Sequence, residues 1–202
     1  MRVTAETKGQ TRKRILDAAI ELFRTRGFEA ATTRDLASAA GIATGTVFNY
    51  FPNKESIVAA LAEEALAKAR ACFSPTAESS LEEDLFALVA GELRNLKTLR
   101  KFIPALLETS LSPLVQSAAG NRSSSSDSLR TEHLEIVASL ARKHGLTEFS
   151  PVALQLYWTL YTGVLAFWAA DKSPKQEDTL ALLDQSLAMF VAWLEGASGP
   201  EN

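Results

Sequence analysis

Apolar residues recur at helical spacing along nearly the whole chain. Ile15, Leu16, Ala19, Ile20, Leu22 and Phe23 follow the 3.6-residue period and predict a first helix. Gly27 stands where a C-terminal cap belongs, with Phe28 beyond it to pack back. Thr32 opens a second helix, with Asp35 three residues on as a short capping box, and Gly41 stops it. A short third helix covers Thr44 to Tyr50, and Pro52 ends it by removing a backbone donor. Asn53 can cap a fourth, running through Ile57, Leu61 and Leu66 to about Phe73.

The second half continues in the same pattern. Ser80-Leu81-Glu82-Glu83 is a capping box for a helix through Leu85, Leu88, Val89, Leu93 and Leu96. Phe102 to Thr109 reads as a helix with Pro104 in its first turn. Ser117 to Ser128, with four consecutive serines, is expected to be a mobile loop. Leu129 to His144 is helical and stops at Gly145; Ser150-Pro151 begins an apolar helix through Trp168; Glu177 to Leu194 is the last. The expected class is all-α, with about nine helices and neither strands nor repeats. Residues 1–52 form one domain and 53–198 a second.

Composition removes several functions. With one cysteine, Cys72, no disulfide can form within the chain and no Cys-rich zinc site exists. His133 and His144 are eleven residues apart, about 16 Å along one helix, too far to share a metal. No paired-carboxylate, Ser-His-Asp or Cys-His constellation and no phosphate-binding glycine loop is present, so no enzyme, cofactor or metal is expected. The longest uninterrupted apolar run, Gly163 to Ala170, falls far short of the roughly 18 residues of a membrane span. With a polar N-terminus, the expectation is a cytoplasmic protein without a membrane partner.

The net charge of −3 conceals an asymmetry: residues 1–60 hold nine Lys/Arg against six acids, whereas the remainder holds 12 against 18. A basic head on an acidic body suits a polyanion at the head alone. The same head contains two helices joined by a tight turn at Gly41-Ile42, the layout of a helix-turn-helix. Leu36, Ala37, Ile42, Val47 and Phe51 are expected to lock the pair onto Leu16, Ile20 and Phe23. Thr44, Gly45, Thr46 and Asn49 then form a small polar face that can lie close to a groove floor, Asn49 pairing with adenine and threonine methyls meeting thymine methyls. Lys54 opposes the macrodipole at the start of its helix, which makes sense if a phosphate lies there. A helical hairpin with a solvated outer face is the plainer alternative.

The run Gly27-Phe28-Glu29-Ala30-Ala31-Thr32-Thr33-Arg34-Asp35-Leu36-Ala37, followed by Ala40-Gly41-Ile42-Ala43-Thr44-Gly45-Thr46-Val47-Phe48-Asn49-Tyr50-Phe51-Pro52-Asn53-Lys54-Glu55, resembles the DNA-binding domain of the tetracycline-repressor (TetR) family. The resemblance implies DNA contacts from Thr46, Tyr50 and Lys54, and contacts to the DNA backbone from Thr32, Thr33 and Arg34. Ala43 replaces the family's capping serine, so Thr44 is expected to cap. Thr44 replaces a frequent lysine, Phe48 a tyrosine whose hydroxyl reaches phosphate, and Asn49 a histidine or tryptophan. Lys8, Arg12, Lys13 and Arg14 are further candidates for phosphate contact.

The resemblance also implies a C-terminal body that senses an effector and dimerises. The helix holding Tyr157, Trp158, Tyr161, Val164, Phe167 and Trp168 is apolar on nearly every face, so one side can face the core and another a second subunit. A homodimer through residues 151–170 and 177–195 is expected, with Gly163 allowing close approach. The candidate effector wall is Phe86, Val89, Phe102, Leu106, Leu107, Trp158 and Tyr161, suiting a largely apolar ligand with a polar end near Tyr157 or Tyr161. The expected function is a ligand-responsive transcriptional regulator, a repressor released from a palindromic operator by its effector. The alternative is an all-helical carrier or sensor without DNA activity.

Overall fold

The computed structural model describes residues 5–108, 124–146 and 149–197. Helix α1 spans Ala5–Arg26, α2 Thr33–Ala40, α3 Thr44–Tyr50 and α4 Lys54–Ala71. Then follow α5 (Leu81–Leu96), a 3₁₀ segment (Lys97–Phe102), α6 (Ile103–Leu106), α7 (Ser124–Lys143), α8 (Pro151–Ala170), a 3₁₀ turn (Pro174–Gln176) and α9 (Glu177–Ala197). The fold is all-α, with no strand among the described residues. The chain divides into two compact units, residues 1–61 and 62–202, and the boundary falls within α4.

The first unit packs α1 against α2 and α2 against α3. Its core is Ile15, Leu16, Ala19 and Phe23 of α1 with Leu36, Ala37, Val47 and Phe51. Ile20 does not join it: at 43% exposure it lies on the outer face, and Ile15 and Ala19 take the inward positions instead. The capping box of α2 is present, Thr32 Oγ1 accepting from Asp35 N while Asp35 Oδ2 accepts from Thr32 N. Gly41 ends α2 at φ 63°, a left-handed conformation that a side chain would resist. Phe28 packs edge-on against Phe23, ring centres 5.2 Å apart. Asn53 caps α4, its Oδ1 accepting from Ser56 N at 2.8 Å.

Three expectations change. Thr44 is not the cap of α3: Ala43 holds that position, with no side-chain hydrogen bond. The single helix expected from Phe102 is instead the end of a 3₁₀ segment followed by short α6, with Pro104 tolerated in the first turn; Thr109 lies outside the described residues. Ser124 to Ser128 belong to α7 rather than to a loop, and 117–123 lie outside the described residues.

In the second unit α5 packs against α7 and α9, α8 against α7 and α9, and the 3₁₀ segment with α6 against α5 and α8. Arg100 donates to the carbonyls of Trp168 and Asp171, closing the C-terminal end of α8. By length and mean composition α8 is apolar enough to cross a membrane. Its apolarity has a local cause, since Tyr157, Trp158, Tyr161, Val164, Leu165 and Trp168 fill the core of this unit.

Candidate nucleic-acid interface

Val47 and Phe51 bury one side of α3, and this orients the other side outward. Gly45, Phe48 and Asn49 are exposed there, with Thr44, Thr46 and Tyr50 half-buried beside them. The outer face is therefore narrow, neutral and mostly small. Phe48 interrupts that pattern: it is 52% exposed in a unit whose other large side chains are mostly packed. The sequence signal was present, because Phe48 falls between the inward positions Val47 and Phe51 and shares its face with Thr44 and Gly45.

Several basic residues have work inside the unit. Lys54 Nζ donates to Phe28 O at 2.8 Å and to Glu29 O at 3.3 Å, and lies 4.7 Å from the Phe28 ring centre. This ties the start of α4 to the loop after α1. The unfavourable placement at a helix N-terminus thus has an internal explanation, and no phosphate is needed to account for it. Arg14 NH2 donates to Ala40 O at 2.5 Å and Gly41 O at 3.2 Å, so it clasps the helix-turn-helix corner. Arg12 lies 5.7 Å from the Phe51 ring centre. Lys8 and Lys13 are exposed.

Thr32 and Arg34 are exposed and Thr33 half-buried at the start of α2. The Thr32 hydroxyl donates to Asp35 Oδ2 at 2.7 Å, and Arg26 pairs with Asp35 Oδ1 at 3.0 Å. The Thr32 hydrogen bonds, aided by Arg26, hold the Asp35 carboxyl below its ordinary range.

The proposed effector residues occupy α5 (Phe86, Val89), the 3₁₀ segment (Phe102), α6 (Leu106), the residue after it (Leu107) and α8 (Trp158, Tyr161). Val89, Leu106, Trp158 and Tyr161 are buried; Phe86, Phe102 and Leu107 are half-buried. A separate groove of about 700 Å³ is lined by other residues, among them Cys72, Phe73, Ser79, Leu88 and Arg94. None of the seven candidates borders it.

Among the aromatic residues lies a charged cluster that the sequence reading missed. Glu92 and His133 are fully buried. His133 Nδ1 donates to Glu92 Oε1 at 3.0 Å, and Tyr157 Oη lies 3.1 Å from Nε2. Arg70 of α4 donates from Nε to Glu92 Oε1 at 3.1 Å and from NH1 to Glu132 Oε2 at 3.1 Å. Burial pushes the Glu92 carboxyl up, but His133, Arg70 and Tyr161 outweigh it and leave the group below its ordinary value. Burial and Glu92 push Tyr157 and Tyr161 well up, so both stay protonated. The signal was legible: Glu92 interrupts the stripe Leu85, Leu88, Val89, Leu96, and His133 the stripe Leu129, Val137, Leu140.

A further exposed apolar surface lies on α8 and α9. Val152, Leu156 and Phe167 share a face of α8 with Gly163, which has open space around it. Leu182, Met189 and Trp193 share one on α9, Met189 at 75% exposure. Phe190, by contrast, is buried at 3%.

The α2–α3 arrangement is a helix-turn-helix, and the second unit is all-helical. A sequence model described as "Bacterial regulatory proteins, tetR family" matches residues 15–61. Residues 15–61 are thus similar to the sequence shared by that family. The chain is 46% identical over 55 residues to the transcriptional repressor KstR2 of Rhodococcus jostii, covering 26% of this chain and 27% of that one. It is 33% identical over 92 residues to the repressor AcnR of Corynebacterium efficiens, covering 46% and 45%. The chain thus spans less than half the length of these relatives. Two solved structures extend the likeness along the chain. A TetR regulator from Rhodococcus sp. RHA1 aligns at TM-score 0.67 and 20% identity, covering 91% and 97%. Thermus thermophilus FadR, a TetR-family repressor in complex with lauroyl-CoA, aligns at 0.61 and 25%, covering 95% and 97%.

Proposed function

We propose that this chain is a transcriptional repressor that binds palindromic operator DNA as a homodimer and is released by a small, largely apolar effector. The observation that carries the reading is the outer face of α3. A packed inner side presents Gly45, Thr46 and Asn49 on a narrow ridge, in a region whose net charge is positive. Gly45 and Thr44 admit close approach to the groove floor, and Asn49 reads a base edge. Phe48, lacking a hydroxyl for phosphate, meets an apolar group such as a thymine methyl. Thr33, Arg34, Tyr50 and Thr46 hold the backbone, Thr32 through its position at the start of α2. Lys54 adds positive charge at the phosphates from the position its carbonyl contacts fix.

The dimer forms through the exposed apolar faces of α8 and α9, around Phe167, Gly163, Met189 and Trp193. One recognition helix covers too few base pairs to act alone, which is why such readers pair. The effector enters the body near Val89, Leu106, Trp158 and Tyr161, with Phe86, Phe102 and Leu107 at its margin. Thermus thermophilus FadR, solved in complex with lauroyl-CoA, supports a ligand with a long hydrocarbon part for this body plan, there joined to a charged CoA group. Helix α4 carries the response, since it belongs to both units.

The test is a gel shift of the full chain on a random duplex pool. Enrichment of a palindrome supports the reading. Retention of no duplex at low salt would favour a helical carrier or sensor without DNA activity.

A further inference from the structure

The groove of about 700 Å³ beside α5 lies between two ties that join chain segments. At one end Arg70 of α4 donates to Glu92 at 3.1 Å, and at the other Ser79 donates to Asp84 at 2.6 Å. The chain from Ala69 to Ser79 therefore runs antiparallel to α5, and both border the groove. The α5 wall includes Glu83, Ala87, Gly91 and Arg94, one helix face at i, i+4, i+8 and i+11. Ala69, Phe73, Pro75 and Leu88 add an apolar middle. The volume is that of a small-molecule site.

The charges stand at opposite ends. Among the described residues Arg94 is the one Lys or Arg in the wall, and its Nη2 lies back over Gly91, 3.7 Å from where a β-carbon there would stand. Glu78 and Glu83 border the other end, Glu83 being eleven residues, about 16 Å, before Arg94 along α5. Asp84 is already satisfied, since Oδ1 accepts from Ser79 and Oδ2 from Lys143 and His144. Glu83 gives only Oε2 to the capping box. Neither Arg94 nor Glu78 has an ion-pair partner among the described residues.

We propose that this groove binds an elongated dipolar molecule, with a carboxylate on Arg94, an ammonium at Glu78 and Glu83, and a hydrocarbon stretch between them. A planar guanidinium pairs with a carboxylate through two parallel N–H donors. Ionised carboxylates only accept, so the glutamates take the protons of an ammonium. A carboxylate alone leaves the two glutamates unanswered, and an ammonium alone leaves Arg94 unanswered. The site goes beyond the effector reading, because none of the seven effector residues borders it. Ala69 brings the last turn of α4 into the wall, so an occupant touches the helix that belongs to both units.

Cys72 supplies a local readout: it borders the groove, is exposed and is the only cysteine of the chain. The test is the rate at which iodoacetamide, a neutral reagent, alkylates Cys72 in the full chain at low salt. The rate is measured with 12-aminododecanoate, dodecanoate or dodecylammonium present. The dipolar probe is expected to slow alkylation at a concentration about threefold lower than either singly charged probe, the worth of one added surface ion pair. Arg94→Gln is expected to erase its advantage over dodecylammonium. Glu78→Gln with Glu83→Gln is expected to erase its advantage over dodecanoate, and glutamine keeps the capping box. All three positions are exposed, and an unchanged unfolding temperature checks the fold. No protection by the dipolar probe, equal protection by all three, or an advantage that survives these variants would each overturn the site. The regulator reading is tested separately. A chain that enriches a palindrome while Cys72 stays unprotected loses only this site, and one that is protected but retains no DNA keeps the site and loses the repressor.

Discussion

Phe48 and Lys54 illustrate how much a single residue's surroundings change its meaning. An aromatic ring half in water on an outward helix face, as Phe48 is, is unfavourable unless something apolar covers it on binding. The expected partner is a thymine C5 methyl. Replacing thymine by deoxyuridine in a selected operator should weaken the wild type several-fold, with the loss confined to one or two positions per half-site. Phe48→Ala should be insensitive to the same replacement; equal sensitivity of both proteins would place the ring away from the bases. Asn49→Ala should change which base is preferred, as read by repeating the selection. Lys54 has two duties to separate. Its hydrogen bonds to Phe28 and Glu29 carbonyls mean that Lys54→Ala lowers the unfolding temperature of the first unit. Its charge means that the variant also weakens binding to all sequences alike and flattens the salt slope by about 1. A lowered unfolding temperature with an unchanged slope would restrict Lys54 to the scaffold.

Helices α8 and α9 carry the prediction at the scale of elements. Phe167 and Phe190 look alike in the sequence, both in apolar helices. Their environments are opposite, at 43% and 3% exposure. Phe167→Glu should give a folded monomer by light scattering, because it adds charge only to the outer face. Phe190→Glu should unfold the body, since it buries an unpaired charge. A dimer that survives Phe167→Glu would move the interface elsewhere. The connections between elements rest on carboxylates. Asp84 Oδ2 accepts from Lys143 Nζ at 2.9 Å and His144 Nε2 at 2.8 Å, and Oδ1 accepts from Ser79 at 2.6 Å. Burial raises this carboxyl, but the His144, Ser79 and Lys143 hydrogen bonds bring it below its ordinary value. Hydrogen bonds from Thr179 and Ser173 lower Asp171 far further. A carboxylate with a lower pKa folded than unfolded binds protons more readily unfolded. Its stability is present above the unfolded value, about 4, and is lost as pH falls below that. The unfolding temperature should therefore be flat from about pH 6 to 7 and fall steeply below about pH 4. Asp84→Asn should lower the plateau and shrink that fall; an unchanged acid limb would assign it to other groups.

At the scale of the molecule, the helices and their ends were largely legible, because period, caps and glycines act locally. The capping boxes at Thr32 and Ser80 and the left-handed Gly41 appear as read. What was not legible depended on neighbours distant in the chain. Ile20 and Ala19 differ by one position on a helix, and only the packing of α2 decides which is inside. Arg14 and Lys54 read as free charge because the carbonyls they bind lie 26 residues away. Glu92 and His133 each interrupt an apolar stripe of their own helix, but they lie 41 residues apart and only the packing of α5 on α7 pairs them. The outward polar face of α3 was legible because its pattern is contained within one short helix.

The central claim is that two copies of this chain read a symmetric DNA site through α3. Sequencing the duplexes that the full chain retains from a random pool tests it most directly. The account predicts a palindrome whose half-sites lie about one helical turn apart, roughly 34–36 Å, or a little more. A retained pool with the same sequence statistics as the input would contradict it.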